Sequence, residues 1–253
     1  MEPLEPWLQY VLLLVTGVVA GTLNVIAGGG SFLTLPALIF LGLPPTVANC
    51  TNRVAIFCQN VGAVWGFQRH GVVEWKYLLW AALPATFGAG IGSWAAVTMS
   101  DEAFKNILAF LMIGVTLWTL WDPLKKKKSD EQEEHSPQIV PLMVGFFLVG
   151  IYGGFVQAGT GFLILAATTM ARLDMVRGNA VKVLTILIYT AFALIIFAIN
   201  DKIDWKLGGV LAVGTVIGSQ IGVRMTVLKG HAWVKTVVTV AVIVLAIMLL
   251  VRG

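Results

Sequence analysis

Charged residues are scarce in this chain of 253 residues. Asp, Glu, Lys and Arg together make up 12% of the sequence, whereas a soluble globular domain has about 25%. Hydrophobic residues make up 58% of the chain, and its mean hydropathy is +0.86. This composition excludes an ordinary soluble domain and indicates an integral membrane protein.

Residues that bind metals or take part in catalysis are equally few. The two cysteines, Cys50 and Cys58, lie on one predicted helix eight residues apart, which argues against a disulfide and for small packing side chains. The three histidines, His70, His135 and His231, fall in loops or at helix ends. No His-Glu-x-x-His motif, Ser/His combination or aspartate pair lies within an apolar run. The sequence therefore predicts no metal site and no catalytic residue.

Long apolar runs are what the chain has in abundance. They reach about 20 residues, the length that an α-helix needs to cross about 30 Å of hydrocarbon, whereas barrel strands are short and alternate in polarity. The sequence therefore predicts an all-α integral membrane protein. The predicted helices are Leu8 to Ala27, Ser31 to Leu41, Ala48 to Phe67, Trp75 to Val97 and Ala103 to Trp121 in the first half, and Ile139 to Ala158, Phe162 to Ala171, Asn179 to Ile199, Trp205 to Val227 and Ala232 to Val251 in the second. The second helix of each half is too short to cross a bilayer, so we interpret it as a half-helix or one arm of a re-entrant hairpin.

The two halves repeat each other. Glu74-Trp75-Lys76 returns as Asp204-Trp205-Lys206, and Gly88, Ile91 and Gly92 return as Gly218, Ile221 and Gly222, each 130 residues later. Phe32-Leu33 and Phe162-Leu163 keep the same spacing. Duplicated membrane units are a recurring plan of secondary transporters, which hold the substrate where the copies meet. The sequence therefore predicts two transmembrane repeats, 1–121 and 139–253.

A charged stretch, 122–138, joins the two repeats. Its lysines, Lys125 to Lys128, supply most of the net charge of +4, so the pI of about 9.1 does not predict nucleic-acid binding. We interpret the stretch as a flexible cytoplasmic linker. An odd number of crossings in each repeat places 11 basic residues inside and 4 outside, and an even number places 9 inside and 6 outside. The positive-inside rule therefore favours inverted repeats with both termini outside.

Two basic residues, Arg53 and Lys182, lie inside apolar runs at nearly equivalent places in the repeats. A charge within the membrane costs about 2.5 to 3.5 kcal/mol, so it normally faces protein or water. All 13 acidic residues lie in termini, loops or helix ends, and no carboxylate is predicted beside either cation. The natural partner of the pair is an anion from solution. The alternative is that each side chain extends to the nearer membrane interface.

Glycines break the helix before each short segment, as Gly28-Gly29-Gly30-Ser31 and as Gly159-Thr160-Gly161. The next half-helix begins with unpaired N–H groups and a positive dipole end, which favour an anion. The alternative is that these glycines only permit tight turns and close helix packing. We interpret another set of glycines in that way: Gly17, Gly21, Gly88, Gly92, Gly218 and Gly222. The predicted substrate site comprises Asn24, Gly28, Gly29, Gly30, Ser31, Asn49, Thr51, Asn52, Arg53, Gln157, Gly159, Thr160, Gly161, Asn179 and Lys182.

Four elements occur in a fixed order in the first repeat: Gly28-Gly29-Gly30, Leu35-Pro36, Gly42-Leu43-Pro44-Pro45 and Ala48-Asn49-Cys50-Thr51-Asn52. With the duplication, they resemble the pattern of the sulfite exporter TauE/SafE family, also called the toluene sulfonate uptake permease family. The second repeat departs from the pattern, since Gly159-Thr160-Gly161 replaces the glycine run and Ala166 stands where the first has Pro36. The resemblance implies transport of sulfite, sulfonates or related organosulfur anions across the bacterial inner membrane, with no cofactor.

These features together predict a permease for small anions that works by alternating access, and the resemblance implies that the anions contain sulfur. A cytoplasm-negative potential of about 100 mV drives a monovalent anion outward by about 2.3 kcal/mol, which favours export. Proton coupling would use Lys182, a tyrosine such as Tyr189 or protonation of the substrate itself, and plain uniport is also compatible with the sequence. The alternatives are an anion channel, a membrane-embedded enzyme or assembly factor, and other small organic anions as substrate. The predicted partners are the anion and the lipid bilayer, without nucleic acid, and a homodimer is compatible with the sequence.

Overall fold

The computed structural model describes residues 5–72, 75, 78–120, 139–170 and 175–252. Within these ranges the chain forms nine α-helices and no strand, which confirms the all-α prediction. The helices are α1 (Pro6–Ile26), α2 (Ser31–Phe40), α3 (Pro45–Arg69), α4 (Leu78–Thr98), α5 (Asp101–Leu120), α6 (Ile139–Phe155), α7 (Thr160–Met170), α8 (Met175–Ile199) and α9 (Trp205–Arg252). The predicted linker 122–138 lies outside the described residues, as do Lys76 and Arg172, which enter the count of cytoplasmic charges.

Long apolar helices identify the chain as a membrane protein. Among the described residues, three segments are long and apolar enough to span a membrane: Trp7–Ile26, Val176–Ile199 and Trp205–Lys229. Large hydrophobic side chains such as Phe87 and Ile195 are exposed on the outer surface, whereas polar side chains such as Asn52 are buried inside. This inverted distribution is that of a protein whose solvent is lipid.

The short second helix of each half is confirmed, since α2 has 10 residues and α7 has 11. A glycine with positive φ precedes each of them, Gly28 at 93° and Gly159 at 77°. After the first of these glycines, Gly30 lies so close to the Ala20 carbonyl that a Cβ would overlap it. Helix α2 therefore folds back along α1 instead of continuing its direction.

The boundary predicted between the last two helices is wrong. The segments Trp205 to Val227 and Ala232 to Val251 form the single helix α9 of 48 residues. The intervening Gly230 does not end the helix, because a glycine in a helix interior costs only about 1 kcal/mol relative to alanine, and no proline follows it. In the first half, by contrast, α4 ends at Thr98 and α5 begins after Ser100, whose hydroxyl accepts a hydrogen bond from a following N–H.

The first helix of the chain packs lengthwise against the beginning of α9. A Cβ at Gly17 would lie 2.9 Å from the Leu211 carbonyl oxygen, and a Cβ at Gly21 would overlap the backbone of Thr215. Residue numbers thus rise together along the two helices, so α1 and the first part of α9 run parallel. Only glycine allows backbones to approach this closely.

The first helix of the second half packs in the same way against α4. A Cβ at Gly88 would overlap the Phe147 carbonyl, and a Cβ at Gly92 would overlap the Ile151 carbonyl. These two helices also run parallel. Each half therefore lays its first helix against the fourth segment of the other half, and the interpretation of these glycines as packing residues is confirmed.

Gly218→Ala is expected to lower the free energy of unfolding by about 1–3 kcal/mol, because its Cβ would overlap the Val18 carbonyl. The matched control is Gly209→Ala on the same helix, where no atom lies within 4 Å of the new Cβ. This control is expected to stabilise by about 0.5–1 kcal/mol through helix propensity. Thermal unfolding in detergent measures both variants, and equal shifts in Tm would contradict the packing role of Gly218.

One hydrophobic cluster surrounds both helix breaks and so holds the two halves together at that point. Ile26 and Phe32 flank the first break, Val156 and Phe162 flank the second, and all four belong to this cluster. The two breaks are therefore neighbours in the middle of the protein, although they are far apart in sequence.

Candidate functional site

All fifteen residues of the predicted substrate site are buried. Arg53 is 0% exposed and Lys182 is 1% exposed. Neither cation extends to the surface of the protein, contrary to the alternative of interface-directed side chains. Both are therefore held by groups inside the protein.

Arg53 of α3 binds the end of α6. Its Nη1 donates to the Gly153 carbonyl at 2.5 Å and to Oε1 of Gln157, and its Nη2 donates to the Gly154 carbonyl at 3.0 Å. The last carbonyls of a helix have no partner within the helix and carry the negative end of its dipole. Arg53 thus supplies a positive charge and donors where α6 needs them.

The other terminal carbonyls of α6 are also satisfied. The Tyr152 carbonyl accepts the Val156 N–H at 2.7 Å. The Phe155 carbonyl accepts Nδ2 of Asn49 at 2.9 Å. All four of these last carbonyls therefore have donors, and three of them are supplied by one asparagine and one arginine on α3.

Lys182 of α8 binds the end of α1 in the same manner. Its Nζ donates to the Asn24 carbonyl at 3.0 Å, to the Val25 carbonyl at 2.7 Å and to Oδ1 of Asn179 at 2.6 Å. An ammonium group has three N–H donors, so all of them are used. Lys182 retains no donor for a substrate in this conformation.

The remaining carbonyls at the end of α1 are satisfied in a way that resembles the end of α6. Nδ2 of Asn179 donates to the Ile26 carbonyl at 3.3 Å. The Leu23 carbonyl accepts the N–H groups of Ala27 and Gly28 at 2.8 and 3.2 Å. An asparagine and a cation on α8 therefore cap α1, as an asparagine and a cation on α3 cap α6.

The capping residues are related by the duplication. Asn49 is the fifth residue of α3 and Asn179 is the fifth residue of α8. The cation follows four residues later in α3 and three residues later in α8. Both spacings place the two side chains on one face of a helix. Asn-x-x-x-Arg and Asn-x-x-Lys are thus the sequence signals of the two caps, and sequence reasoning did not interpret them in this way.

Arg53 differs from Lys182 in having an unused donor. Its Nε is buried and has no hydrogen-bond partner among the described residues. Its guanidinium lies over the ring of Phe197, 5.6 Å from the centroid. No carboxylate bonds to either cation in the described part of the chain; their acceptors are carbonyl and amide oxygens.

The two glycine breaks touch each other. A Cβ at Gly28 would overlap the backbone of Gly161, and the reverse is also true. Gly29, Gly30 and Gly159 lie in the same breaks. The beginnings of the two half-helices α2 and α7 therefore meet near the ends of α1 and α6, with no space for a ligand between Gly28 and Gly161 in this conformation.

Polar side chains surround this meeting point. Nδ2 of Asn52 donates to the Ser31 hydroxyl at 3.3 Å, while Oδ1 of Asn52 has no partner among the described residues. The Thr160 hydroxyl donates to the Gln157 carbonyl at 3.0 Å. Oε1 of Gln59 accepts Nδ2 of Asn24 at 3.3 Å. The structure thus brings the amide and hydroxyl groups of both repeats together around the breaks.

Two tyrosines join the site, and one of them was missed from the sequence. Nε2 of Gln157 donates to the Tyr189 hydroxyl at 3.0 Å. The Tyr152 hydroxyl donates to the Ala158 carbonyl at 2.5 Å, within the second break. Tyr152 lies directly before Gly153-Gly154, and its nearness to that glycine pair is the signal that could have found it.

Thr51 is the predicted site residue that the structure places elsewhere. Its hydroxyl accepts the Asp204 N–H at 2.9 Å. Asp204 directly precedes α9. Thr51 therefore holds the beginning of α9 instead of facing the two cations.

The chain is similar to one protein family and to several probable membrane transporters. Residues 13–249 match the profile of a family described as "Sulfite exporter TauE/SafE". A probable membrane transporter protein of Haemophilus influenzae is 31% identical over 90% of this chain and 89% of its own length. The probable membrane transporter protein ORF9 of Sinorhizobium sp is 31% identical over 94% of this chain and 91% of its own. The probable membrane transporter protein YfcA of Escherichia coli is 27% identical over 97% and 91%. No solved structure matches the chain significantly.

Proposed function

The chain belongs to the sulfite exporter TauE/SafE family, and from this premise and the geometry of the site we propose that it is a permease for small sulfur-containing anions. Sulfite and organosulfonates are the proposed substrates, and export across the bacterial inner membrane by alternating access is the proposed activity. The protein crosses that membrane several times and acts as a carrier, not an enzyme. Its partners are the anion and the surrounding lipid.

The burial of two cations without a carboxylate partner among the described residues carries this proposal. Each helix C-terminus supplies roughly half a negative charge. The ends of α1 and α6 therefore offset roughly half of the charge of Arg53 and Lys182. The beginnings of α2 and α7 add positive potential nearby. A small anion would complete the neutralisation.

Arg53 is the proposed direct ligand of the anion. Its unpaired Nε–H is a charge-assisted donor, the type of group that binds oxyanions. The amide of Asn52 and the hydroxyls of Ser31 and Thr160 lie in or beside the same breaks. Lys182 contributes its charge to the site, while its donors hold the end of α1.

The two repeats are proposed to be inverted, and the directions of the helices support this. Helix α3 runs parallel to the first part of α9, because the Asp204 N–H bonds to Thr51 and Nε2 of Gln220 bonds to the Gly62 carbonyl at 2.9 Å. Helix α1 also runs parallel to that part of α9. The first and third helices of the first repeat thus point the same way.

The direction of the second repeat follows from α4. The Thr46 N–H donates to Oδ1 of Asp101 at 3.2 Å, which places the beginning of α3 beside the beginning of α5. Helix α4, which leads from the end of α3 to α5, is therefore antiparallel to α3. Because α6 runs parallel to α4, it points opposite to α1. Rocking of two such repeats against each other is the usual form of alternating access.

Purified protein in proteoliposomes is expected to move sulfite with saturable kinetics, whereas a channel would give flux linear in concentration. Arg53→Gln and Lys182→Gln are each expected to lower the flux about tenfold or more, since hydrogen bonds to charged groups contribute about 1.5 to 3 kcal/mol. The matched control is Arg69→Gln, because Arg69 is exposed and stacks on Trp65 at 3.8 Å. Its flux is expected to equal that of the wild type.

A ligand panel decides the substrate class. Sulfite, sulfate, thiosulfate, sulfoacetate and small carboxylates are each tested for thermal stabilisation, which grows with the logarithm of ligand concentration over Kd. Sulfur oxyanions are expected to raise Tm more than carboxylates. Unchanged flux in both site variants, or stabilisation by none of the anions, would remove the proposed anion site.

A further inference from the structure

The surroundings of Lys182 have the form of a cation-binding site. Three oxygen atoms lie within 3.0 Å of Nζ: the carbonyl oxygens of Asn24 and Val25 and Oδ1 of Asn179. The ammonium is 1% exposed. In transporters with broken helices, helix C-terminal carbonyls of this kind coordinate the coupling Na⁺. Here they coordinate an ammonium group that belongs to the chain.

We propose that the end of α1 is a monovalent-cation site which Lys182, a residue of the other half, fills in place of a coupling ion. As a consequence, transport needs no sodium or potassium gradient. This consequence rests on the proposed transport function, whereas the cation site itself does not.

The hydrogen bonds of the terminal carbonyls support a cation site at the end of α1. The Asn24 and Val25 carbonyls are terminal carbonyls of α1, and Lys182 provides the hydrogen bonds that the helix cannot. Leaving buried carbonyls without a donor is costly, so a cation or another donor must occupy this position. The end of α6 likewise leaves no carbonyl free for a coupling ion, because Arg53 binds the Gly153 and Gly154 carbonyls.

The ammonium group of Lys182 indicates which ligands this site would bind. A primary ammonium matches the three acceptors with its three N–H groups. A small alkylammonium ion, and less strongly a bare alkali cation, would therefore bind if Lys182 were shortened. A quaternary ammonium has no N–H and would not bind.

Chemical rescue tests the site directly. Lys182→Ala is expected to lower Tm by several degrees, and propylammonium, which replaces the atoms that the substitution removes, is expected to restore most of the loss. Propan-1-ol and tetrapropylammonium serve as ligand controls and are expected to restore none of it. Lys105→Ala, which changes an exposed lysine, is expected to keep the wild-type Tm with or without propylammonium.

Specific outcomes overturn the proposal. Equal rescue by propan-1-ol would mean that the variant lacks volume and not a cation. A Lys182→Ala protein that is unresponsive to propylammonium also contradicts a cation site. If this variant does not fold, Lys182→Met and Lys182→Arg replace it: the arginine variant is expected to melt well above the methionine variant, and the reverse order rejects the site.

The consequence for transport is measured separately on the wild type. Replacing all Na⁺ and K⁺ by N-methylglucamine on both sides of the liposome membrane is expected to leave sulfite flux unchanged, and loss of flux would refute ion-independent transport. If no anion is transported under any condition, the proposed function fails. The rescue experiment still decides the cation site in that case.

Discussion

Replacing Arg53 by methionine is expected to destabilise the protein by several kcal/mol, because each buried acceptor left without a donor costs about 1–3 kcal/mol. The carbonyls of Gly153 and Gly154 and the amide of Gln157 would lose the donors that Arg53 provides. Methionine retains an unbranched apolar stem, so the change removes the guanidinium with its charge and donors. Thermal or denaturant unfolding in detergent measures the loss.

Two further variants separate the causes of this loss. Arg69→Met removes an arginine that is exposed, and it is expected to change stability by less than about 0.5 kcal/mol. Arg53→Lys keeps the charge but lacks the planar fork that reaches two carbonyls at once. We expect it to be intermediate in stability and to lose most of its anion affinity. An Arg53→Met protein as stable as the Arg69→Met protein would rule out the capping role.

Alanine at Gly28 or Gly161 is expected to have the second large effect, on stability and transport together. The two backbones touch, and a Cβ on either would overlap the other. Gly28 also has a φ of 93°, which is strained for any residue with a Cβ. Overlap costs about 1–3 kcal/mol and the left-handed conformation about 1–2 kcal/mol, so Gly28→Ala is expected to lose about 2–5 kcal/mol.

Gly42 provides the control that isolates the cost of a positive φ from the cost of overlap. Its φ is 96°, but no atom lies within 4 Å of an added Cβ. Gly42→Ala is therefore expected to cost only about 1–2 kcal/mol, from the left-handed conformation alone. Gly161 has no positive φ, so Gly161→Ala isolates the overlap. If Gly28→Ala lowered the free energy of unfolding no more than Gly42→Ala, the contact between the breaks would not contribute to stability. Unfolding and sulfite flux are measured on all three variants.

Much of the fold was predictable because composition and helix breakers act locally. The short helices α2 and α7 follow from glycine-rich breaks, because glycine weakens a helix wherever it occurs. The packing glycines of α1 and α4 could be predicted from their four-residue spacing. The unbroken α9 was not predicted, since one glycine at Gly230 weakens a helix by an amount that neighbouring packing can offset.

The prediction of the site was partial for a related reason. A charged residue in an apolar run is visible in the sequence, and both cations are buried as an internal role requires. The inference that they lack an internal partner considered only carboxylates. Their acceptors are backbone carbonyls, which every residue has and which no side-chain pattern reveals.

The sequence by itself determined that this is a helical membrane protein with two related halves, short broken helices and two cations among apolar residues. Each of these properties depends on residue type and spacing along one segment. Only the tertiary structure decided which helix end each cation caps, that the breaks touch at Gly28 and Gly161, and that Lys182 has no free donor while Arg53 retains one. These relations join residues 100 or more positions apart, and they arise because a helix that ends inside the protein must find donors for its last carbonyls on another helix.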